Sequence, residues 1–219
     1  MFYFGLAKVR RFFIFHSVYN KGINRENIGE YPKAMNYLYL ALSLMPRSVK
    51  TYIAIARVNR KHKTYLNGID FCNKAINKFP QNGILYGIKA DLYRKIKEYE
   101  TAVSCYDDAI KFEYKNTDYL QERAKVKYLL NDVQGAIYDY NKAIQIDNKN
   151  PEFYKTRGFY HFEKKNYDSA IDDYTSAISL KPNDAHSYFM RGALKQIKGL
   201  DFESDFAKAK ELGIKEKAL

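Results

Sequence analysis

Small, aromatic and polar positions along this chain return at every thirty-fourth residue. Counted from Phe15, position 8 of successive copies reads Gly22, Ala56, Ala90, Ala124, Gly158 and Gly192. Position 20 reads Ala34, Gly68, Ala102, Ala136 and Ala170, and position 27 reads Ala41, Ala75, Ala109, Ala143 and Ala177. Five copies run without insertion, at 15–48, 49–82, 83–116, 117–150 and 151–184. A sixth, 185–213, fits once two residues are dropped from its central turn, which brings Phe206 and Ala209 to positions 24 and 27. A fixed period in this range marks a stacked array built from one supersecondary unit.

Inside a copy the spacing is helical. Ala170, Ile171, Tyr174, Ala177 and Ile178 fall on one face of a helix. Gly29-Glu30-Tyr31, Lys97-Glu98-Tyr99, Asn131-Asp132-Val133 and Lys165-Asn166-Tyr167 read as turns in mid-copy. Pro46, Pro80 and Pro182 end the second helix, because proline has no N–H to give to the preceding turn. Each copy therefore predicts two antiparallel helices of roughly 14 residues joined by a short turn. The small residues at positions 8, 20 and 27 let helix axes approach, and aromatics at 4, 17 and 24 fill the space between hairpins. One hairpin cannot bury its own apolar face, so stacking on neighbours supplies the core.

The copy at 151–184 sets Tyr154, Gly158, Tyr167, Ala170, Tyr174, Ala177 and Pro182 at positions 4, 8, 17, 20, 24, 27 and 32. This pattern resembles the tetratricopeptide repeat family, and the resemblance extends over 15–213. Departures are Tyr114 and Asn148 in place of proline at position 32, and polar residues at position 11, namely Arg25, Asn59, Lys127 and Lys195. The resemblance implies an all-α solenoid of six helical hairpins wound as a right-handed superhelix. It also implies a non-enzymatic scaffold that binds a protein segment in a concave groove lined by first helices.

In that family positions 2, 5, 6, 9, 12 and 13 point into the groove. Carried onto this chain, they give Lys50, Arg57, Arg60, Lys61, Arg94 and Lys95 in copies two and three, with Asp91 as the acid among them. Copy four gives Asp118, Gln121, Glu122, Lys125 and Tyr128; copy five gives Lys155, Phe159 and Phe162; copy six gives Phe189 and Met190. A basic stretch thus leads through a mixed zone to an aromatic one. It suits an extended or helical segment of another protein with an acidic end and an apolar anchor. Members of the family that clamp chaperone C-terminal carboxylates use Lys and Asn at positions 5 and 9, Asn at 6 of the next copy, and Lys and Arg at 2 and 6 of the third. Here Lys155 is followed by Phe159, and Met190 stands where Asn is needed, so the resemblance argues against a chaperone tail as partner.

Charge adds a second feature. Residues 1–82 hold 14 Lys/Arg against 3 Asp/Glu, a net of +11, while residues 83–184 hold 16 against 17 and residues 185–219 hold 7 against 5. The basic character belongs to the N-terminal part, and the alternative function is electrostatic binding of nucleic acid or an anionic membrane surface there. Aromatics do not interleave with these cations as stacking platforms for bases would. Residues 1–14 either form a half-repeat helix that caps the array, with Phe4 and Ala7 at positions 24 and 27 counted backwards, or a basic-aromatic helix on a membrane surface. Lys8, Arg10 and Arg11 break the apolar run, so a secretory signal is not expected, and the stretch is too short to span a bilayer. Residues 214–219 are expected to form a tail or to begin a closing helix.

Candidate chemistry changes little. The tyrosines, 21 in all, fall mostly at the packing seats 4, 17 and 24. Cys72 and Cys105 lack metal-ligand spacing, and Cys72 reads as a small buried hydrophobe, which suits a reducing, cytoplasmic setting. His16, His62, His161 and His186 lie in different copies without a metal motif. Asp107-Asp108 and Asp172-Asp173 recur in second helices at positions expected to face solvent. No nucleophile elbow, P-loop or dinucleotide fingerprint is present, so neither enzyme activity nor a cofactor is expected.

Overall fold

A computed structural model describes residues 2–214, with side chains from residue 8 onward. Twelve α-helices and no strand occur among the described residues. They fall into two compact units divided after Tyr114. The first holds α1 (Phe2–Asn27), α2 (Tyr31–Leu44), α3 (Val49–Lys61), α4 (Tyr65–Lys78), α5 (Gly83–Lys95) and α6 (Tyr99–Phe112). The second holds α7 (Thr117–Leu129), α8 (Val133–Ile146), α9 (Pro151–Glu163), α10 (Tyr167–Leu180), α11 (Ala185–Ile197) and α12 (Glu203–Glu211). First helices from α3 to α11 start at Val49, Gly83, Thr117, Pro151 and Ala185, each one period after the last. α12 starts two residues later than the period would place it. α1 runs through residue 14 without a turn. Of the segment expected to close the array, only Ile214 falls inside the described residues, and the packing read from Phe4 and Ala7 falls outside the described side chains.

The turns explain the period locally. Position 15 of every copy has positive φ: Gly29 at 80°, Lys63 at 61°, Lys97 at 66°, Asn131 at 63°, Lys165 at 59° and Gly199 at 69°. The chain reverses through a left-handed residue after each first helix, and the next N–H reaches back across the last turn. Thr64 N donates to Asn59 O at 3.0 Å, and Asn166 N to His161 O at 2.9 Å. Position 34 supplies the next N-cap. Asn82, Asn116, Asn150 and Asp184 each accept a backbone N–H from the first turn that follows.

Packing follows the seats. The residues at positions 8 and 27 of all six copies, Ala209 included, and at position 20 of the first five are buried. At Gly192 a Cβ would lie 2.9 Å from the Phe206 ring, so α11 and α12 approach closely only because no side chain stands there. Tyr106, Tyr140 and Tyr174 fill position 24 and are buried, which is the structural role expected of the tyrosines. In the first unit, Ala34 and Leu38 of copy one share a cluster with Ala54, Ile55 and Val58 of copy two. In the second, Ala170 and Tyr174 of copy five pack with Leu194 of copy six. Within each unit a copy closes the apolar face of its neighbour, as nearest-neighbour stacking demands.

Candidate protein-binding faces

In the first unit α1 touches α3, and α3 touches α5, so first helices stand side by side. This brings charged residues of successive copies together. Arg57 Nε and Nη2 donate to the two oxygens of Glu26 at 2.7 and 2.8 Å, and Lys61 Nζ lies 2.9 Å from Oε1. The Glu26 side chain is fully buried. Burial pushes its carboxyl up, but the two cations outweigh burial and hold it below its ordinary value. Asp91 serves Arg60, at 2.9 Å, and Arg94, whose Nε donates at 3.1 Å. Lys50 Nζ sits over the rings of Phe15 and Tyr19, 5.0 and 4.7 Å from their centroids. Lys95 is exposed. The six expected cations of this unit are therefore gathered on one run of first helices with two carboxylates among them.

In the second unit the expected residues divide. Tyr128 donates to Glu163 Oε2 at 3.1 Å and meets the Phe159 ring at 5.8 Å in an edge contact. Lys125 is exposed and paired with Glu122 at 2.6 Å. Lys155 is mostly shielded, between Glu152 at 3.2 Å and Asp184 at 3.3 Å. Phe162 packs onto the Ala170–Tyr174–Leu194 cluster together with Met190. Phe189 lies against Phe206, ring centroids 5.8 Å apart. All three phenylalanines are half-buried, so each gives part of its ring to internal packing.

One expectation is corrected. Asp173 does not face solvent; it is buried, and Arg157 binds it through Nε at 3.0 Å and Nη2 at 2.5 Å. The same pair recurs in copy four as Arg123–Asp139, with Nε at 2.9 Å, and in copy six as Arg191–Asp205, with Nε at 3.0 Å. These are positions 7 and 23 of each copy, and they join the first helix to the second. Arg157 also reaches Asn141 of the preceding copy at 2.7 Å, and Arg191 reaches Thr175 at 3.1 Å, so the guanidinium ties copies as well as helices. Position 11 adds a second cation: Lys127 lies 3.0 Å from Asp139, and Lys195 lies 2.8 Å from Asp205. That accounts for two of the polar residues at a seat expected to be aromatic.

Copy five has His161 at position 11, and its buried Nδ1 has no hydrogen-bond partner. The effect shows on the aspartates. Burial pushes the Asp173 carboxyl above its ordinary value despite Arg157, whereas Asp205, with two cations, is held below its own. Arg123, Arg157 and Arg191 recur at the repeat interval, as do Asp139 and Asp173, and that recurrence was the sequence signal for this lattice.

Cys72 and Cys105 are buried free thiols, and burial pushes the Cys72 thiol up to about 12, which keeps it protonated. Among the described residues no group of three His, Cys, Asp or Glu is placed to hold a metal ion. Among them, too, no helix is long and apolar enough to cross a membrane.

Comparisons with known proteins agree with this architecture. Family models described as "TPR repeat" and "Tetratricopeptide repeat" match residues 124–165 and 151–184, and a further "Tetratricopeptide repeat" model matches 85–116. No curated protein matches the chain. Among solved structures, PilF of Pseudomonas aeruginosa aligns with a TM-score of 0.72 at 16% identity, over 93% of this chain and 90% of PilF. YrrB, described as a TPR protein with an unusual peptide-binding site, aligns with a TM-score of 0.69 at 15% identity, over 83% of this chain and 94% of YrrB. MamA aligns with a TM-score of 0.68 at 21% identity, over 77% of this chain and 93% of MamA. At such identities the likeness is one of fold.

Proposed function

We propose that this chain, whose residues 85–116 and 124–184 match tetratricopeptide repeat models, is a scaffold that binds an acidic, extended or helical segment of a partner protein along its first helices. The observation that carries the reading is the imbalance on α3 and α5. Lys50, Arg57, Arg60, Lys61, Arg94 and Lys95 stand there with Glu26, which pairs with Arg57 and Lys61, and Asp91, which pairs with Arg60 and Arg94. Cations outnumber these carboxylates along that run of helices, with Lys50 and Lys95 exposed, and an acidic segment is the complement. In the second unit, Tyr128 and Phe159 offer a half-buried aromatic edge as the apolar contact of the same kind of partner. The role that goes with this reading is assembly, in the cytoplasm.

The test should spare the cations that hold buried acids. Replacing Arg57 would strand Glu26 and confuse binding with folding. Lys50→Glu with Lys95→Glu removes charge from the face while leaving the Glu26 and Asp91 pairs intact. Affinity capture from the native source with wild-type and doubly substituted protein, read by mass spectrometry, should lose the specific partner in the variant. Recovery of the same partner at the same yield would refute the reading.

A further inference from the structure

The start of α1 carries a feature that holding a protein segment does not use. Residues 8–14 are all exposed although they are helical and rich in apolar side chains. Val9 is 54% exposed, Phe12 51% and Phe13 67%. Spaced i, i+3 and i+4, these three lie on one face of the helix. Lys8 and Arg10 flank that stripe, one on each side, and Arg11 turns away from it to donate to Ser43 O at 3.3 Å. The first acidic residue of the chain is Glu26.

We propose that this helix face lies in the interfacial layer of an anionic membrane, with Val9, Phe12 and Phe13 entering the headgroup–acyl boundary and Lys8 and Arg10 meeting lipid phosphate and carboxylate groups. Aromatic side chains favour that boundary, and flanking cations are drawn to anionic lipid. Charge selects the occupant. A second molecule of this chain would bring the same cluster of cations against itself, without an acid on the segment to offset it. A nucleic acid would use the cations and leave the aromatic stripe in water. The helix lies on the surface and does not cross, in keeping with the absence of a spanning helix among the described residues.

Vesicle flotation of the full chain tests this directly, with phosphatidylcholine alone and phosphatidylcholine mixed with phosphatidylserine. Wild type should float with the anionic vesicles and not with the neutral ones. Phe13→Asp, which alters the most exposed ring of the stripe, and the pair Lys8→Glu with Arg10→Glu should each reduce flotation at least tenfold, with an unchanged melting curve. Absence of flotation with anionic vesicles at low salt would overturn the proposal. So would loss in the charge variant alone, which would mean that the stripe is unused. A dimer in light scattering that Phe13→Asp dissolves would also overturn it, by giving the stripe to a second molecule.

Discussion

Replacing Arg157 by methionine tests how the second unit is held together. Arg157 is the cation hydrogen-bonded to Asp173, whose side chain is only 4% exposed, and His161 beside it is held neutral by burial. Removing the guanidinium leaves a buried carboxylate without a charge partner, which costs about 3–5 kcal/mol. The same change at Arg191 leaves Lys195 at 2.8 Å from Asp205, and at Arg123 it leaves Lys127 at 3.0 Å from Asp139. Losing one charged hydrogen-bond partner of two should cost about 1.5–3 kcal/mol. Copy two shows the apolar solution for the same seats, Ile55 at position 7 and Phe71 at position 23, packed in one cluster. The double change Arg157→Ile, Asp173→Phe should therefore cost less than the single Arg157→Met, with a residue of about 1–3 kcal/mol from imperfect fit. Urea unfolding followed by circular dichroism gives the overall ranking. Hydrogen exchange of α9 and α10 localises it, since a repeat array need not unfold in one step. If Arg157→Met costs no more than Arg191→Met, or the double change costs the sum of its parts, the buried pair is not the structural element described here.

Five further outcomes rest on the same packing. Ala136→Phe, at a fully buried seat in α8, should cost about 1–3 kcal/mol by overpacking, while Lys149→Phe in the exposed loop should leave Tm nearly unchanged. Gly29→Ala should lower stability by about 1 kcal/mol, because φ is +80° and no neighbour lies within 4 Å of the added Cβ, so the cost is conformational alone. Lys97→Gly and Lys165→Gly should each raise Tm, since release of left-handed strain of about 1–2 kcal/mol exceeds the added chain entropy of about 0.5–1 kcal/mol. Burial depresses the His161 pKa below 6.5, so stability from this group is present above pH 6.5 and is lost as pH falls through that value toward the folded pKa. His161→Lys should supply the second cation that copies four and six possess, lower the Asp173 pKa, and raise Tm at neutral pH; no change in either would show that position 11 does not serve that aspartate.

The architecture was legible because its determinants are steric and repeat at one interval. Ala34, Gly68, Ala102, Ala136 and Ala170 must be small wherever two helices cross, and they recur once in each of the first five copies, both along the chain and in the buried seats. The aromatic seats were legible for the same reason, with Tyr106, Tyr140 and Tyr174 as the clearest cases. The family models begin matching only at residue 85, yet copy two fills the same seats with Tyr52, Ala56, Gly68, Cys72 and Ala75, all buried. Geometry tolerates a thiol at position 24 because the space there requires volume and apolarity, not an aromatic ring.

Charged residues were harder to place because their partners lie on other helices. Arg157 and Asp173 are 16 positions apart, a separation that no helical period singles out, and Asp173 in isolation reads as one of two acids on an outer face. Glu26 escapes a copy-by-copy reading for a related reason: it ends a first helix in copy one, while the cations it binds belong to copy two. The consequence bears on function. Cations counted along a groove are not all available to a ligand, because Arg57 and Lys61 are engaged by Glu26, and Arg60 and Arg94 by Asp91. On the proposed reading a partner would meet the charge these acids leave uncompensated, set on helices whose positions those same internal pairs fix. A binding face built this way gains rigidity from the acids that reduce its charge, and its selectivity then rests on where the surplus lies more than on how large it is.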